Sequence, residues 1–269
     1  PGLVVGVWIA AGIATAIVVL RFVAKIRIHH LHADDVVMLL ALVLAIIATA
    51  LLTVAIHYGF GKSSANLSLA DQIQAMKFAT ILQTFMIIAT GLGRCAFILY
   101  LLGIVGTERL HHIILWLFIA LQIIINGVSV IIAYTQCSDV RGIWNPEFSA
   151  GCSFGNLQGV YGIVQTSFNS FTDLYLAVFP IFKFWSLKLR LHVKICLIFL
   201  LSLGLLAMLA SIGRTVELSK LTNFTDRTRQ FIPLARWTIA ECYLIIVTAS
   251  LPSIRSLLIF WFHKISRGS

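Results

Sequence analysis

Three ionisable residues stand inside long apolar stretches of this 269-residue chain: Arg94, Asp173 and Glu241. A charged side chain near the centre of a bilayer costs roughly 2.5 to 3.5 kcal/mol on insertion scales, so a residue kept there is a candidate for function. Each belongs to a polar series at helical spacing, which predicts three stripes facing the interior of a bundle. The stripes are Gln83, Thr90 and Arg94; Gln165, Asn169 and Asp173; and Trp237, Glu241, Thr248, Pro252 and Arg255.

These stripes leave two interpretations open. In the first, Arg94 and Arg214 pair with Asp173 and Glu241, and the ion pairs fix the register of the helices. In the second, the stripes line a polar cavity that binds a small molecule. The candidate ligand contacts are Arg94, Asn169, Asp173, Trp237 and Glu241.

The composition identifies the elements that must position these residues. Hydrophobic residues are 59% of the chain and charged residues 11%, whereas soluble domains carry roughly 25% charged residues. The apolar stretches are long enough to cross about 30 Å of hydrocarbon, where a backbone must satisfy its own hydrogen bonds as a helix. We therefore predict an all-α, polytopic membrane protein whose residues 1–269 form one seven-transmembrane-helix domain. The predicted spans are 3–24, 35–58, 75–104, 113–135, 157–183, 195–216 and 233–256.

Three features of the loops predict the orientation of the bundle. Lys and Arg are modestly more frequent on the side where the first helix ends, which favours that side as cytoplasmic. The glycosylation sequons at Asn66 and Asn223 fall on the other side. Cys137 and Cys152 share one loop there and predict a disulfide in an oxidising compartment. Together they place the N-terminus outside and the C-terminus in the cytoplasm.

Four residues at the predicted cytoplasmic rim form a second charged group: Arg21, Lys25, Asp34 and Asp35. The two aspartates begin the second helix, where they oppose the positive end of its dipole. We favour a salt-bridged rim over a ligand site here. The basic stretch 183–194 is predicted to meet anionic lipid or a signalling partner.

Several functions lack the residues that they need. Retinal attachment requires a lysine within the last helix, and positions 237–254 contain none. The histidines have no metal-site spacing with cysteine or carboxylate partners, so neither a metal nor another cofactor is expected. Motifs of soluble enzymes are absent from the sequence. The apolar bulk of the chain argues against a nucleic-acid partner.

Motifs along most of the chain resemble those of the fungal rhodopsin-domain integral membrane proteins, a family with receptor-like members linked to pathogenic development. The motifs are Arg21, Lys25, Leu31 and Asp34-Asp35; Tyr58-Gly59-Phe60-Gly61-Lys62; Cys137, Trp144 and Cys152; Asn169, Thr172-Asp173-Leu174 and Pro180; Trp185, Leu187 and Lys194; Leu203-Gly204 and Ser211-Ile212-Gly213-Arg214; and Asp226, Thr228, Trp237, Glu241, Ser250, Pro252 and Arg255. The pattern departs at Ser63, Cys95 and Gly103. The resemblance implies a seven-helix fold in the plasma membrane or an endomembrane.

The resemblance favours a receptor-like sensor of a small or lipophilic ligand that signals to a cytoplasmic partner. The alternative is an intramembrane enzyme of fungal secondary metabolism, because similar proteins are associated with biosynthetic gene clusters. In that enzyme Asp173 and Glu241 would be the catalytic residues, a carboxylic acid kept protonated by burial and its partner. A transporter is the remaining alternative.

Overall fold

Seven long α-helices make up almost all of the regular structure. The computed structural model describes residues 2–27, 32–61, 67–104, 109–145, 147–148, 152, 156–185, 191–220 and 227–267. The helices are α1 (Gly2–Arg27), α2 (Ala33–His57), α3 (Leu69–Ile104), α4 (Arg109–Thr135), α5 (Asn156–Trp185), α6 (Leu191–Lys220) and α7 (Arg227–Arg267). A 3-10 helix spans Val140–Ile143. Within these residues there is no strand, and the all-α prediction is confirmed.

The helices are long enough to cross a membrane. The shortest, α2, has 25 residues, or about 37 Å at 1.5 Å per residue. Five helices are also apolar enough, over their described residues, to cross a membrane. They are α1, α2, α3, α4 and α7. The helices extend past the predicted spans: α3 begins at Leu69, and α7 continues to Arg267. Hydropathy marks only the part within lipid, whereas a helix continues into the polar region as long as its backbone bonds are made.

Among the five most apolar helices, the third and the seventh are the most buried. Of the most apolar stretch of α3, 67% of residues are buried, and the figure for α7 is 56%, against 22% for α1 and α4. Lipid therefore covers most of α1 and α4. The centre of the bundle lies where α3 and α7 meet α2, α5 and α6, and the polar stripes of α3, α5 and α7 contribute to it.

Small side chains let α2 pack closely on its neighbours. Ala41, Ala45, Ala48 and Ala55 are fully buried along one side of this helix. Alanine at such spacing allows two backbones to approach within a membrane, where close van der Waals packing drives association. A similar approach joins α5 and α6 at Gly204, where an added Cβ would lie 2.5 Å from the Cβ of Ala177.

Two glycines shape the turn after α2. Gly59 and Gly61 have φ angles of 91° and 99°, in the left-handed region that side chains disfavour. A Cβ on Gly61 would lie 2.1 Å from the Cδ1 of Ile232 at the start of α7. The glycines of this motif therefore have a structural role, because the turn packs directly on α7.

A disulfide joins Cys137, just after α4, to Cys152, just before α5, as predicted. The 3-10 helix lies within the loop that this bond closes. Gly142 is enclosed there, since a Cβ would lie 2.6 Å from the carbonyl oxygen of Phe148. We call this end of the bundle the disulfide end and the opposite end, where α1 meets α2, the Arg21 end. Their orientation in the membrane remains a prediction, and Asn66 and Asn223 lie outside the described residues.

Candidate functional site

A buried arginine on α3 is paired with a carboxylate on α5. Arg94 is 1% exposed and Asp173 is 6% exposed. The Nε and Nη2 atoms of Arg94 donate hydrogen bonds of 2.9 Å each to the two carboxylate oxygens of Asp173. This parallel arrangement is the strongest form of the interaction and fixes its direction. It joins α3 to α5.

The same arginine reaches a second carboxylate on α7. Nη2 of Arg94 donates to Oε1 of Glu241 at 2.5 Å, and Glu241 is fully buried. On the other side of Glu241, Nη1 of Arg214 in α6 donates to Oε2 at 3.3 Å. Ser211, also on α6, donates its hydroxyl to Asp173 at 3.2 Å. These five residues, the core cluster, connect α3, α5, α6 and α7.

The formal charges of the core cluster cancel, since two guanidinium groups face two carboxylates. Two donors of the cluster nevertheless have no hydrogen-bond partner among the described residues: Nη1 of Arg94 and Nε of Arg214. An unmade hydrogen bond at a buried donor costs roughly 1 to 3 kcal/mol. Among the described residues, the cluster therefore has no net formal charge but has two hydrogen-bond donors without an acceptor.

An amide layer lies next to the core cluster, towards the disulfide end, between α4 and α5. Gln122 donates to Asn169 at 3.0 Å, and Gln165 donates to Asn126 at 2.8 Å. Ser129 donates to Gln165 at 2.8 Å. Asn169, one helical turn before Asp173, thus belongs to this layer, and no hydrogen bond recorded for it reaches the cluster. Its Nδ2 atom and Oε1 of Gln122 have no partner among the described residues.

A small cavity lies on the other side of the core cluster, towards the Arg21 end. Its volume is about 20 Å³, enough for one group the size of a water molecule. Arg94 and Asp173 line it together with Thr248 and with apolar residues of all four helices. The apolar lining residues are Phe97, Leu176, Ala177, Gly204, Ala207 and Ile245.

Trp237 lies apart from the other candidate ligand contacts. Its side chain is 40% exposed, and its ring packs against Gly213 of α6, where a Cβ would lie 2.8 Å from an indole carbon. The stripe predicted on α7 therefore divides, because Glu241 points into the cluster while Trp237 lies at the surface. The structure brings together the three ionisable residues of the stripes, Arg94, Asp173 and Glu241, and all three are buried.

The charged group at the Arg21 end is a salt-bridged rim, as the sequence favoured. Arg21 is fully buried; its Nε donates to Asp35 at 2.9 Å and its Nη2 to Asp34. Lys25 bonds Asp34 at 2.6 Å. The remaining guanidinium nitrogen of Arg21 donates to the backbone carbonyl of Ala249 in α7 at 2.6 Å.

That carbonyl lies at a weak point of α7. Pro252 is inside the helix and has no N–H to donate to the carbonyl of Thr248. The hydroxyls of Thr248 and Ser250 also bond to carbonyls one turn back, an arrangement that often bends helices. Arg21 therefore holds α7 where its own hydrogen bonding is reduced. Sequence reasoning missed this contact because a backbone carbonyl carries no side-chain signal.

Neither a metal nor a retinal site is recognisable in the described part of the chain. No group of three or more His, Cys, Asp or Glu side chains comes together there. Among the described side chains of α7, the buried polar residues are Thr238, Glu241, Thr248 and Ser250, and none of them can form the Schiff base that holds retinal. The residues therefore do not fit that cofactor, and its absence remains a prediction.

Comparisons with known proteins find one matching family model and one partly matching relative, and both are fungal. The model of a family described as the fungal rhodopsin domain matches residues 20–260. A protein described as "Receptor GIN3", from Arthrobotrys oligospora, is 26% identical over 144 residues. The match covers 53% of this chain and 34% of that protein, so it spans only about a third of the relative's length. No solved structure matches the chain.

Proposed function

This chain belongs to the fungal rhodopsin-domain family, whose model covers residues 20–260, and on that premise we propose that it is a receptor-like sensor of a small or lipophilic ligand. It is a multi-pass membrane protein, and its helices contact the bilayer directly. The receptor description of the partly matching fungal relative supports the same proposal.

The observation that carries the proposal is the core cluster. Arg94 is shared between Asp173 of α5 and Glu241 of α7, so a ligand that bonds to its guanidinium changes the hold of α3 on both helices. A ligand shifts a conformational equilibrium only by its differential affinity for the two states. A ligand that competes for the hydrogen bonds of Arg94 would have different affinities for the paired and unpaired states of the cluster.

A path from the cluster to the Arg21 end runs along α7. Thr248 lines the cavity beside Arg94, and the carbonyl of the next residue, Ala249, is held by Arg21. A shift of α7 at the cavity therefore reaches the salt-bridged rim, which we expect at the cytoplasmic face. A signalling partner would detect the change there or at the basic stretch 183–194, whose side chains lie outside the described set.

The geometry supports the sensor better than the enzyme. A general acid must reach its substrate, yet the carboxylate oxygens of Asp173 and Glu241 already accept hydrogen bonds from the guanidinium groups of Arg94 and Arg214. The cavity beside these carboxylates has about 20 Å³, whereas small-molecule sites usually have roughly 300 to 1,000 Å³, so either function requires the helices to move apart before a molecule enters. No described feature favours a transporter.

Complementation of a fungal strain that lacks the gene tests the proposal. The strain receives the parent, Asp173→Asn, Glu241→Gln or the double variant, and lipophilic extracts are screened for a transcriptional response. A sensor requires a response with the parent that is weakened or shifted in each variant at equal membrane abundance. A metabolite formed only with the parent would instead establish the enzyme. Reversing the charge of stretch 183–194 must abolish the response without changing abundance if a partner docks there.

A further inference from the structure

The charged residues of the core cluster are enclosed by the bundle. Arg94, Arg214, Asp173 and Glu241 are each at least nine-tenths buried, and the cavity beside them has about 20 Å³, room for one water molecule. A ligand that acts on the cluster therefore requires two helices to separate. The contacts between the helices indicate which pair this is.

The ion pair between α6 and α7 is the longest among the described ion pairs of the cluster. Nη1 of Arg214 lies 3.3 Å from Oε2 of Glu241, beyond the usual range of about 2.7 to 3.2 Å for such a hydrogen bond. Arg94, in contrast, bonds Asp173 at 2.9 Å and Glu241 at 2.5 Å. Nε of Arg214 also has no partner among the described residues. The ion pairs therefore hold α6 to α7 less firmly than they hold α3 to α5 and α7.

Trp237 joins the same two helices at the surface. It stands one turn before Glu241 on α7, and its ring rests on Gly213 of α6, which directly precedes Arg214. A Cβ on Gly213 would lie 2.8, 2.9 and 3.0 Å from three carbons of the indole, so the ring lies face-on against the glycine. Trp237 is 40% exposed, whereas Arg214 is 3% exposed. The ring therefore forms the exposed side of a contact between α6 and α7 whose buried side is the ion pair.

The surface around the ring is apolar. Leu209, Ile212 and Val216 share one face of α6 with Gly213 at helical spacing, and all three are exposed. Trp237 itself lies within the apolar stretch Phe231–Pro252 of α7. An exposed apolar surface within a membrane-spanning segment faces lipid rather than water. The ring is therefore covered by the bilayer.

We propose that Trp237 is a gate on the lipid side of the core cluster, and that a lipophilic ligand enters from the bilayer between α6 and α7 when the ring leaves Gly213. The glycine permits the closed state, because a side chain at this position would occupy the place of the ring. The ligand on this route is uncharged, since a charged group is costly within the hydrocarbon. This assignment deepens the proposed sensor function and rests on it for its biological role.

An anchoring role for the tryptophan makes a different prediction. Tryptophan is common at the membrane interface, where its amphipathic ring lies at the level of the headgroups. Removal of an anchor leaves the core cluster closed, whereas removal of a gate opens it. The accessibility of Glu241 from the bilayer therefore separates the two roles.

The experiment measures this accessibility on the purified full chain in lipid nanodiscs. Dicyclohexylcarbodiimide, an uncharged reagent that dissolves in the bilayer, modifies the carboxyl groups that it reaches, and peptide mass spectrometry quantifies the product at Glu241. A group reached only in a rarely populated open state reacts at a rate reduced by that population. We expect Trp237→Ala to react at least about tenfold faster than the parent at the same pH. An unchanged rate overturns the gate.

A water-soluble, cationic carbodiimide tests the direction of entry. Its rate of reaction with Glu241 should not change in Trp237→Ala, because a charged reagent does not cross the hydrocarbon to reach the gap between α6 and α7. An equal rise with both reagents would place the opening at an aqueous end of the bundle and contradict a gate on the lipid side.

Two controls separate an opening at Trp237 from a general loosening of the bundle. Trp8 on α1 is 44% exposed and bonds Thr53 of α2, so Trp8→Ala removes a similarly exposed ring from another pair of helices and should leave the Glu241 rate unchanged. Asp35, which is 1% exposed in the salt-bridged rim, is the internal reference carboxylate. An equal effect of Trp8→Ala, or an equal rise at Asp35, contradicts the gate.

A substitution on α6 tests the gate while the tryptophan is kept. Gly213→Ala places a methyl group 2.8 Å from the indole, so the ring must move, and we expect a Glu241 rate above that of the parent. Gly127→Ala on α4, where a Cβ meets nothing within 4 Å, should react like the parent. This pair decides if Trp237→Ala does not fold, and equal rates for the two variants overturn the proposal.

Failure of this inference is distinguishable from failure of the sensor function. Faster modification of Glu241 in Trp237→Ala, with no cellular response of the parent to any lipophilic extract, keeps the gate and contradicts the sensor. A cellular response that depends on Asp173 and Glu241, with equal modification rates in Trp237→Ala and the parent, keeps the sensor and overturns the gate.

Discussion

Glu241 and Ala249 lie about two turns apart on α7, roughly 12 Å along its axis, and each is held by an arginine from another helix. Arg94 of α3 bonds the Glu241 carboxylate, and Arg21 of α1 bonds the Ala249 carbonyl. The helix is thus fixed at two depths, and the cavity-lining residue Thr248 lies between the two points.

Removal of one partner of the central ion pair should destabilise the protein. Asp173→Asn leaves Arg94 with a weakened counterion, and breaking a buried pair costs about 3 to 5 kcal/mol. The double variant Arg94→Met with Asp173→Leu should lose less, because it leaves no unpaired charge and Glu241 keeps its contact with Arg214. Unfolding free energies in detergent measure both. Glu147→Gln, at an exposed position, is the control, and additive losses would contradict the coupling.

Substitution of Arg21 should loosen α7 selectively. Arg21→Gln removes the bond to the Ala249 carbonyl, whereas Lys25→Gln removes a bond to the same aspartates and leaves that carbonyl held. We expect faster hydrogen exchange in the α7 peptide containing Ala249 for Arg21→Gln, and little change for Lys25→Gln. Equal exchange in both variants would show that the rim acts only through its charge.

Much of this arrangement follows from the sequence, and the remainder has a physical reason. Helical spacing and the cost of a charge in lipid predicted that Arg94, Asp173 and Glu241 would face inward. Which cation meets which carboxylate depends on the rotation and depth of four helices, and a single sequence does not specify these. Ser211 could have been found, because it stands one turn before Arg214 on α6.

Trp237 shows the limit of the stripe argument. Its spacing from Glu241 places both on one side of an ideal helix, but a stripe covers a wide arc, and the tryptophan lies at the edge that borders α6. A large aromatic ring is also tolerated at a lipid-facing position, unlike a carboxylate. Its position is set by Gly213, which offers a flat surface for the ring.

A side chain on the turn after α2 should be poorly tolerated. Gly61→Ala forces a strained φ angle of about 99° and a contact of 2.1 Å with Ile232. We expect a clearly lower Tm, and the addition of Ile232→Ala should recover only the part due to the clash. Gly103→Ala on α3, where a Cβ meets nothing within 4 Å, should not lower the Tm. A neutral Gly61→Ala would contradict the packing of this turn on α7.

Reduction of the disulfide between Cys137 and Cys152 should lower the stability of the protein. Their separation of 15 residues corresponds to about 3 kcal/mol of loop-closure entropy. A reductant should lower the Tm of the parent to that of the variant in which both cysteines are serine. The same reductant should leave that variant unchanged, and a drop there would point to another cause.

The predicted orientation is open to a direct test. Treatment with an endoglycosidase should increase the gel mobility of the parent, and Asn66→Gln with Asn223→Gln should abolish that increase. Independently, a membrane-impermeant maleimide should label Cys137 and Cys152 after reduction of intact cells or right-side-out vesicles. Labelling only after permeabilisation would reverse the orientation, and an unchanged mobility of the parent would exclude glycosylation.

The zero net charge of the core cluster has an electrical consequence. An elementary charge that crosses a membrane potential of 100 mV gains or loses about 2.3 kcal/mol, which is how voltage sensors are driven. When Arg94, Arg214, Asp173 and Glu241 move together, the charge displaced through the field sums to zero. A joint movement of these four residues therefore contributes no net gating charge.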